Sequence, residues 1–317
     1  MAIIAIDLMS TNLTVAALGK TGKILEMETA SIKGLKGNEV SIVIQKNIKK
    51  ILNNFKNKPI EIKSAGLSVP GIYFSKTGTA WAPNIPGWEN YPIKQELFEV
   101  LIEQNIYLKI ASKRTCDILG EMWLGAAKGS KNAVYLSIGS GIGAGVLIDG
   151  KILHGFNDGV GAVGWLALEK PFREVYKSKG CFEYLASGSG IVNMSIELIS
   201  KSKNYKGSLI KKSIELLTAI DVIEAYKLKD PIAVKVIQQC IEYWGMATAN
   251  LISSFNPEII IFGGPLFGPG LIFLDDIKSE ARKWSQPIFI EKVKFLGSKL
   301  GANAGLFGAG HLAMKKF

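Results

Sequence analysis

The chain has 317 residues, nearly half of them apolar, and a formal net charge of +11. That length exceeds what one hydrophobic core usually serves, so two domains are expected. The high apolar content excludes an intrinsically disordered chain. The lysines are scattered along predicted helix faces and loops without interleaved aromatic residues, which argues against a nucleic-acid-binding protein.

The N-terminal sequence MAIIAIDLMS has no basic lead before a long apolar stretch, and glycines and prolines break the apolar segment 258–274. Neither a signal peptide nor a membrane span is therefore predicted. The three cysteines, Cys116, Cys181 and Cys240, are widely spaced and odd in number, which argues against a disulfide framework and for a reducing compartment. We expect a cytoplasmic protein without a membrane partner.

The chain opens as a meander of strands. Short apolar runs predict strands at 3–7, 13–18 and 23–26, joined by small polar turns. Apolar residues at helical spacing predict a helix from 39 to 56, and the run 62–69 predicts another strand.

The segment that begins at Ala133 repeats this opening order. VYLSIGSGIGAGVLIDGKIL parallels IAIDLMSTNLTVAALGKTGKIL as strand, small-residue turn, strand, tight turn and strand, which indicates an internal duplication. In each copy a Gly/Ser/Thr turn follows the first strand, and two such turns can present backbone N–H groups to one anion. The duplication predicts two lobes with a cleft between them.

The second copy continues with a predicted helical stretch from 219 to 255, a strand at 258–262 and a last helix at about 302–316. We expect that last helix to pack back on the first lobe. The predicted domains are therefore an N-terminal α/β lobe, 1–110, and a C-terminal α/β lobe, 111–317.

Five motifs follow one another along nearly the whole chain: AGLSVPGIYFSKTGTAWAPNIPGW, LGEMWLGAAKG, IGSGIGAGVLIDGKILHG, GCFE and IIIFGGPL. In content and order they resemble the ROK family. The resemblance implies the actin-like sugar-kinase fold, two ribonuclease-H-like lobes around a central cleft, in a family of sugar kinases and sugar-responsive repressors. The repressors carry an N-terminal DNA-binding domain, which we do not expect here because the first strand starts at Ile3.

A sugar kinase needs a base for the attacking hydroxyl, N–H donors for the phosphates and a Mg²⁺ position. In the family motif E-N-D-A-N-A-A-A-L-G-E, the catalytic aspartate falls on Lys113 and the sugar-binding asparagine on Ser112. A lysine accepts a proton only if its pKa is lowered by several units. Asp117, one helical turn further on, is a candidate substitute base, but a role as the partner of Lys113 is favoured.

The first phosphate turn of the family, D-x-G-G-T, reads Asp7-Leu8-Met9-Ser10-Thr11 here, which keeps Asp7 and Thr11 but loses both glycines. Met9 is expected to weaken ATP binding. Asp7 can hold Mg²⁺ through water, or it can simply cap the turn at the end of its strand. The other residues that the resemblance assigns to nucleotide or phosphate are Gly139, Ser140, Gly141, Gly143, Gly263 and Gly264. Without the resemblance, the first of these glycine turns is only a tight hairpin.

The sugar pocket is altered too. The family's G-E-I-G-H reads Gly161-Ala162-Val163-Gly164-Trp165, so a sugar-binding glutamate and histidine are lost. Trp165 can stack on a sugar ring or fill the vacated space. Asn84 and Glu183 are retained, although Asn84 can also cap a turn, and Glu183 can cap a helix or pair with Lys113.

The family's zinc motif, C-x-C-G-x-x-G-C-L-E, keeps only Cys181, so zinc is expected to be absent and Cys181 to be a buried apolar residue. The two histidines, His154 and His311, are distant in sequence and are interpreted as structural.

These replacements together predict a degenerate ROK protein that binds a nucleotide (ATP or ADP, with Mg²⁺) or an anionic sugar such as a sugar phosphate, without catalysis. The alternative is an active ATP-dependent sugar kinase of altered substrate, with Asp117 or Asp158 as a relocated base. A third possibility is a structural homo-oligomer with a vestigial cleft. Because ROK proteins commonly dimerise, we expect a homodimer.

Overall fold

The computed structural model describes residues 1–314. In that part of the chain the β-strands are β1 (Ala2–Leu8), β2 (Asn12–Gly19), β3 (Ile24–Ser31), β4 (Ile62–Val69), β5 (Ile72–Phe74), β6 (Thr79–Trp81), β7 (Tyr107–Ser112), β8 (Ala133–Ile138), β9 (Ile142–Ile148), β10 (Lys151–Ile152), β11 (Ile259–Gly263) and β12 (Lys294–Gly297). The α-helices are α1 (Asn38–Phe55), α2 (Ile93–Ile102), α3 (Lys113–Leu124), α4 (Tyr176–Lys179), α5 (Cys181–Ala186), α6 (Gly188–Lys201), α7 (Ala219–Lys227), α8 (Pro231–Phe255), α9 (Leu274–Trp284), α10 (Pro287–Ile290) and α11 (Ala304–Met314).

The first sheet has the strand order β3-β2-β1-β4-β7. The pairs β1–β2 and β2–β3 are antiparallel, whereas β4 pairs in parallel with both β1 and β7. Every residue of β1 is buried, because the strand lies in the middle of a sheet with apolar side chains packed on both faces. Side chains alternate along a strand, so Asp7 lies on the same face as Ile3 and Ala5.

The second sheet has the corresponding order, β10-β9-β8-β11-β12. The pair β8–β9 is antiparallel, and β11 pairs in parallel with both β8 and β12. The two sheets have the same order of strands. The strands β8, β9 and β10 thus correspond to β1, β2 and β3, in agreement with the repeated sequence pattern. This mixed α/β architecture is the actin-like sugar-kinase fold.

The chain forms two compact units. The first contains Met1–Gly129, Ile152–Val160 and the chain from Ala302 onward, and the second contains Ser130–Lys151 and Gly161–Gly301. The first long segment therefore ends at Gly129 rather than near residue 110, because β7 continues the first sheet and α3 packs on α11. The C-terminal lobe was also predicted as uninterrupted, whereas the segment Ile152–Val160 belongs to the first unit.

The predicted helical stretch 219–255 is two helices rather than one. Helix α7 ends at Lys227, and α8 begins at Pro231 after the N-cap Asp230, whose carboxylate accepts from the N–H groups of Ile232 and Ala233. Proline is favoured in the first turn of a helix, where its missing N–H costs no hydrogen bond. Of the predicted last helix, residues 315 and 316 lie outside the described residues.

Helix α11 packs against α3, β1 and β4 with very close backbone contacts at glycines. A Cβ added at Gly308 would lie 1.7 Å from the carbonyl oxygen of Cys116, and one at Gly120 would lie 2.2 Å from that of Ala304. The glycines therefore fix how near α11 lies to α3, the helix on which Lys113 is located. No helix within the described residues is long and apolar enough to cross a membrane.

We expect Gly308→Ala to lower the free energy of unfolding by about 1–3 kcal/mol, since the added methyl group meets backbone that can move only with the helix. The control is Gly268→Ala, because a Cβ at Gly268 has open space around it and the glycine has a φ of −88°. Guanidinium denaturation compares the two variants. Equal stability would contradict the backbone contact between α11 and α3.

Candidate ligand-binding site

Three charged side chains meet in the first unit where β1 ends and α3 begins. The register aligns Asp7 of β1 with Ser68 of β4, and Ser68 with Ala111 of β7, so the ends of these three strands lie side by side. Lys113 is the first residue of α3, and its ammonium lies 2.8 Å from Oδ1 of Asp117 and 3.5 Å from Oδ2 of Asp7. Lys113 and Asp117 are four residues apart on one helix, which brings their side chains together.

The environment of this cluster is nearly dry. Asp7 and Asp117 are 4% and 2% exposed, and the side chain of Lys113 is 25% exposed. Burial raises the pKa of Asp117 to about 6, with Asp7 and Glu121 adding to the rise, while Lys113 acts in the opposite direction. The ammonium of Lys113 is thus held by two carboxylates, whereas a general base needs a lone pair that can receive a proton.

A magnesium ion between Asp7 and Asp117 would compete with the ammonium of Lys113 for one position. Mg²⁺ needs oxygen ligands at about 2.0–2.1 Å and keeps several of its waters. The ammonium already lies against Asp7, and Gly305 of α11 lies against both groups, because a Cβ there would be 2.5 Å from Nζ of Lys113 and 2.6 Å from Oδ1 of Asp7. The ammonium thus occupies the position between Asp7 and Asp117 that a divalent ion bound to both carboxylates would take.

A groove of about 400 Å³ in the first unit is also lined by Asp7. Its walls include Met9, Thr14, Thr29 and Asn303. The sheet register places Asp7, Thr14 and Thr29 in one row, so hydroxyl groups line the groove next to the carboxylate. Met9 is part of this lining. It lies beside the carboxylate of Asp7, with which it shares the predicted phosphate turn 7–11.

The predicted sugar residues of the first unit are occupied differently. The Oγ atom of Ser112 accepts a hydrogen bond from the N–H of Tyr73 at 2.9 Å, and Ser112 is the N-cap residue of α3. Asn84 lies exposed in a turn, where the N–H of Ile85 donates to the carbonyl of Ala82. Both residues thus have a place in local structure, and their sugar contacts stay predictions. Thr11 is likewise exposed, in the turn between β1 and β2.

Asp158, the other candidate base, fastens the segment Ile152–Val160 within the first unit. Its Oδ2 accepts from the N–H and the hydroxyl of Ser75 at 2.9 and 2.8 Å, and its Oδ1 lies 3.6 Å from Nδ1 of His154. Arg114 donates to its main-chain carbonyl at 2.9 Å. Sequence reasoning missed Ser75 and Arg114, since both lie in segments that resemble the family but the resemblance gives neither residue a role. The positive φ of 55° at Asp158 is a backbone feature that its residue type alone does not reveal.

The glycine turn of the second unit joins β8 to β9. Gly139 donates to the carbonyl of Gly141 at 2.9 Å, which closes the turn. The N-terminus of α6 holds it from outside, since the N–H of Gly188 donates to the carbonyl of Gly139 and the hydroxyl of Ser189 donates to that of Ser140. The turn is thus rigidly placed, and Gly143 follows it in β9.

Glu183 of α5 lies directly against this turn. Its Oε2 accepts from the N–H of Ile142 at 2.7 Å, and a Cβ at Gly141 would lie 2.9 Å from the same oxygen. Burial raises the pKa of Glu183, and its bond to Ile142 partly offsets that rise. Glu183 therefore supports the turn, whereas the carboxylates that hold Lys113 are Asp117 and Asp7. Trp165 is 48% exposed, so part of the residue is accessible to a ligand.

Packing accounts for the two glycines after β11. A Cβ at Gly263 would lie 2.0 Å from the hydroxyl oxygen of Tyr135, and one at Gly264 would lie 2.6 Å from the carbonyl oxygen of Ile138. Gly264 also has a positive φ of 85°, which favours glycine. Both residues are thus required by the second unit itself, and their contact with a nucleotide stays a prediction.

The model of the ROK family matches residues 3–316. The chain belongs to the ROK family. Its curated relatives include a glucokinase from Halalkalibacterium halodurans, 30% identical over 99% of this chain and 95% of that protein, and one from Thermotoga maritima, 29% identical over 99% and 98%.

Two solved structures show the same fold over nearly the whole of this chain. One is a ROK family glucokinase from Streptomyces griseus in complex with glucose and AMPPNP, with a TM-score of 0.79, 23% identity and 99% coverage of both chains. The other is a ROK family transcriptional regulator, a homologue of E. coli MLC, with a TM-score of 0.86 and 24% identity over 98% of this chain and 77% of that chain. This ROK protein is therefore sugar-kinase-like, and both kinases and regulators have its fold.

The residues of this ROK chain do not fit the zinc ion that the family motif implies. Cys181 is buried, and its sulfur accepts from the N–H of Leu168 at 3.4 Å. The segment before it is held by Glu169, whose two carboxylate oxygens accept from the hydroxyls of Tyr243 and Tyr176 at 2.5 and 3.1 Å. Among the described residues, no group of three or more histidine, cysteine or acidic side chains can hold a metal. Hydrogen bonds to Glu169 connect this segment to α8.

We expect Tyr243→Phe to lower the free energy of unfolding by about 1–2 kcal/mol, because Tyr243 is buried and its hydroxyl donates to Glu169. A zinc chelator such as 1,10-phenanthroline is expected to leave the melting temperature of the wild type unchanged. The control is Ser213→Ala, which removes a hydroxyl that donates to the carboxylate of Glu215 in an exposed pair. A melting temperature that falls with the chelator would contradict the role given to Glu169.

Proposed function

We propose that this ROK protein binds a phosphate-bearing ligand, a nucleotide or a sugar phosphate, without transferring a phosphoryl group. The observation that carries the proposal is the position of Lys113, whose ammonium is 2.8 Å from Asp117 and 3.5 Å from Asp7. Phosphoryl transfer to a sugar needs a carboxylate that receives the hydroxyl proton. A charged ammonium has no lone pair for that proton.

The proposal gives Asp117 no role as a substitute base. Asp117 is 2% exposed, and its carboxylate accepts from the ammonium of Lys113, so a sugar hydroxyl has no direct path to it. Asp158 is also engaged, by two hydrogen bonds from Ser75. Loss of a general base costs about 10²–10⁴-fold in rate, so the expected turnover is close to the background of the assay.

Several features support binding. The turn Gly139–Gly141 is held in place by α6 and Glu183, and its glycines permit close approach of a phosphate. The groove beside Asp7 offers hydroxyl groups, and Trp165 offers an exposed ring. The complex of the Streptomyces griseus glucokinase with glucose and AMPPNP supports nucleotide and sugar as the ligand classes. Such a protein would act by binding its ligand and not by catalysis. We propose that it does so as a homodimer in the cytoplasm.

The test combines binding with turnover. Ligand that prefers the folded state raises the melting temperature, so ATP, ADP, glucose 6-phosphate and N-acetylglucosamine 6-phosphate are screened by thermal shift. ADP release in a coupled assay is then measured with hexoses, amino sugars and sugar acids. We expect a thermal shift with at least one phosphate-bearing ligand and no sugar-dependent ADP release. Sugar-dependent turnover, or no shift with any of these ligands, would overturn the proposal.

The second candidate is an active ATP-dependent sugar kinase of altered substrate. It is favoured by the full-length similarity to two glucokinases, at 30% and 29% identity. In that case Asp117 or Asp158 must receive the proton. Sugar-dependent ADP release by the wild type that is lost in Asp117→Asn or in Asp158→Asn would establish this candidate and identify its base.

A further inference from the structure

The charges around Lys113 do not balance. Two carboxylates, those of Asp7 and Asp117, share one ammonium, and both carboxylates are almost completely buried. The Oδ1 atom of Asp7 is buried and has no hydrogen-bond partner within the described residues. Two buried carboxylates with a free oxygen are a natural place for a cation, because an uncompensated charge in the interior is costly.

Lys113 supplies that cation from the chain itself. Its ammonium contacts the carboxylates with N–O distances of 2.8 and 3.5 Å, and Gly305 lies close against the ammonium and against Asp7. A divalent ion that binds both carboxylates needs the volume that the ammonium fills. Like charge also repels the ion, and this repulsion is strong in a site that excludes most water.

We propose that the ammonium of Lys113 is the resident cation of this site and replaces a divalent metal ion on Asp7. The site therefore takes its anionic ligand without Mg²⁺, and removal of the ammonium uncovers a latent divalent-cation site on Asp7 and Asp117. The side chain of Lys113 remains 25% exposed, so its charge is within reach of an incoming anion. A lysine ammonium is a common phosphate-binding group, where it acts as a point charge.

For the class of ligand, a phosphate-bearing anion, this inference rests on the proposed function. The part of the inference that concerns the resident cation does not rest on the proposed function, because Mn²⁺ alone can be titrated without nucleotide or sugar. Failure of every phosphate ligand to bind would thus sink the proposed function, while the Mn²⁺ titration tests the resident ammonium separately.

Free Mn²⁺ is measured by electron paramagnetic resonance at pH 7.5 and at pH 8.5, because removal of Lys113 takes away the charge that opposes the raised pKa of Asp117. The variants are Lys113→Met, which keeps the apolar stem and removes the charge, and the double variant Lys113→Met with Asp7→Asn. The matched control is Lys212→Met, which removes the ammonium that lies 2.9 Å from Asp221 on the surface. The same proteins are followed by thermal shift with and without Mn²⁺.

We expect Lys113→Met to bind one Mn²⁺ at least tenfold more tightly than the wild type or Lys212→Met, and to lose that site when Asp7 is also replaced. If Lys113→Met folds poorly, Mn²⁺ is expected to restore its melting transition. Wild-type protein that binds one Mn²⁺ as tightly as Lys113→Met would overturn the inference. So would a Lys113→Met variant that gains neither Mn²⁺ affinity nor Mn²⁺-dependent stability.

Binding of ADP supplies the second arm when the thermal screen identifies it as a ligand. The shift of the wild type with ADP is expected to be the same in EDTA as in Mg²⁺, whereas that of Lys113→Met is expected to need Mg²⁺. A wild-type shift that disappears in EDTA would show that a divalent ion, not the ammonium, accompanies the ligand.

Discussion

Replacing Lys113 by aspartate is expected to destabilise the protein by about 3–5 kcal/mol, the usual cost of leaving buried charges without their partner. The substitution puts a third carboxylate where Asp7 and Asp117 now share one ammonium, at N–O distances of 3.5 and 2.8 Å. Restoring the acidic residue of the family motif at this one position thus conflicts with the rest of the site. Guanidinium denaturation monitored by tryptophan fluorescence measures the loss.

The double variant Lys113→Asp with Asp117→Ala is expected to recover at least half of that loss, because it removes one of the three carboxylates. It also recreates the family's D-A-N-A-A sequence at its first and fifth positions. The matched control is Lys212→Asp, which reverses a charge in an exposed pair and should change stability by about 1 kcal/mol or less. A double variant no more stable than Lys113→Asp would contradict the assignment of the loss to repulsion among three carboxylates.

The contact between Lys113 and Asp117 was predictable, and the rest of the cluster was not. Residues four apart on a helix meet as soon as the helix is identified. Asp7 lies 106 residues before Lys113, so its position depends on the parallel pairing of β1 with β4 and of β4 with β7. Gly305 approaches from the opposite end of the chain. No local pattern encodes such distances.

The same physical limit explains the other differences. The apolar run 62–69 predicted β4 with its observed bounds. Short apolar runs joined by turn residues predicted the meanders of strands. Both signals are local in the sequence. The break at Asp230-Pro231 is also local, yet the apolar spacing continues across it and hides it. Glu169 contacts Tyr243 across 74 residues, and Asp158 contacts Ser75 across 83, so only the fold assembles these pairs.

The pH dependence of stability is expected to identify Asp117 as a carboxylate whose ionisation is opposed by its surroundings. Its pKa is raised from 3.8 to about 6, with burial as the main cause, Lys113 opposing the rise, and Asp7 and Glu121 adding to it. Between these two values the folded protein binds a proton that the unfolded chain has released. Stability from this group is therefore fully present below about pH 4 and is lost as the pH rises through about 6.

A shift of about two pKa units corresponds to about 3 kcal/mol. Because other groups titrate in the same range, the informative quantity is the difference in unfolding free energy between the wild type and Asp117→Asn, whose amide does not titrate. We expect the wild type to lose about 3 kcal/mol relative to this variant between pH 4 and pH 7, in denaturation curves taken at intervals of half a pH unit. Parallel profiles would mean that Asp117 keeps its charge throughout, so that the attraction of Lys113 outweighs the cost of burial.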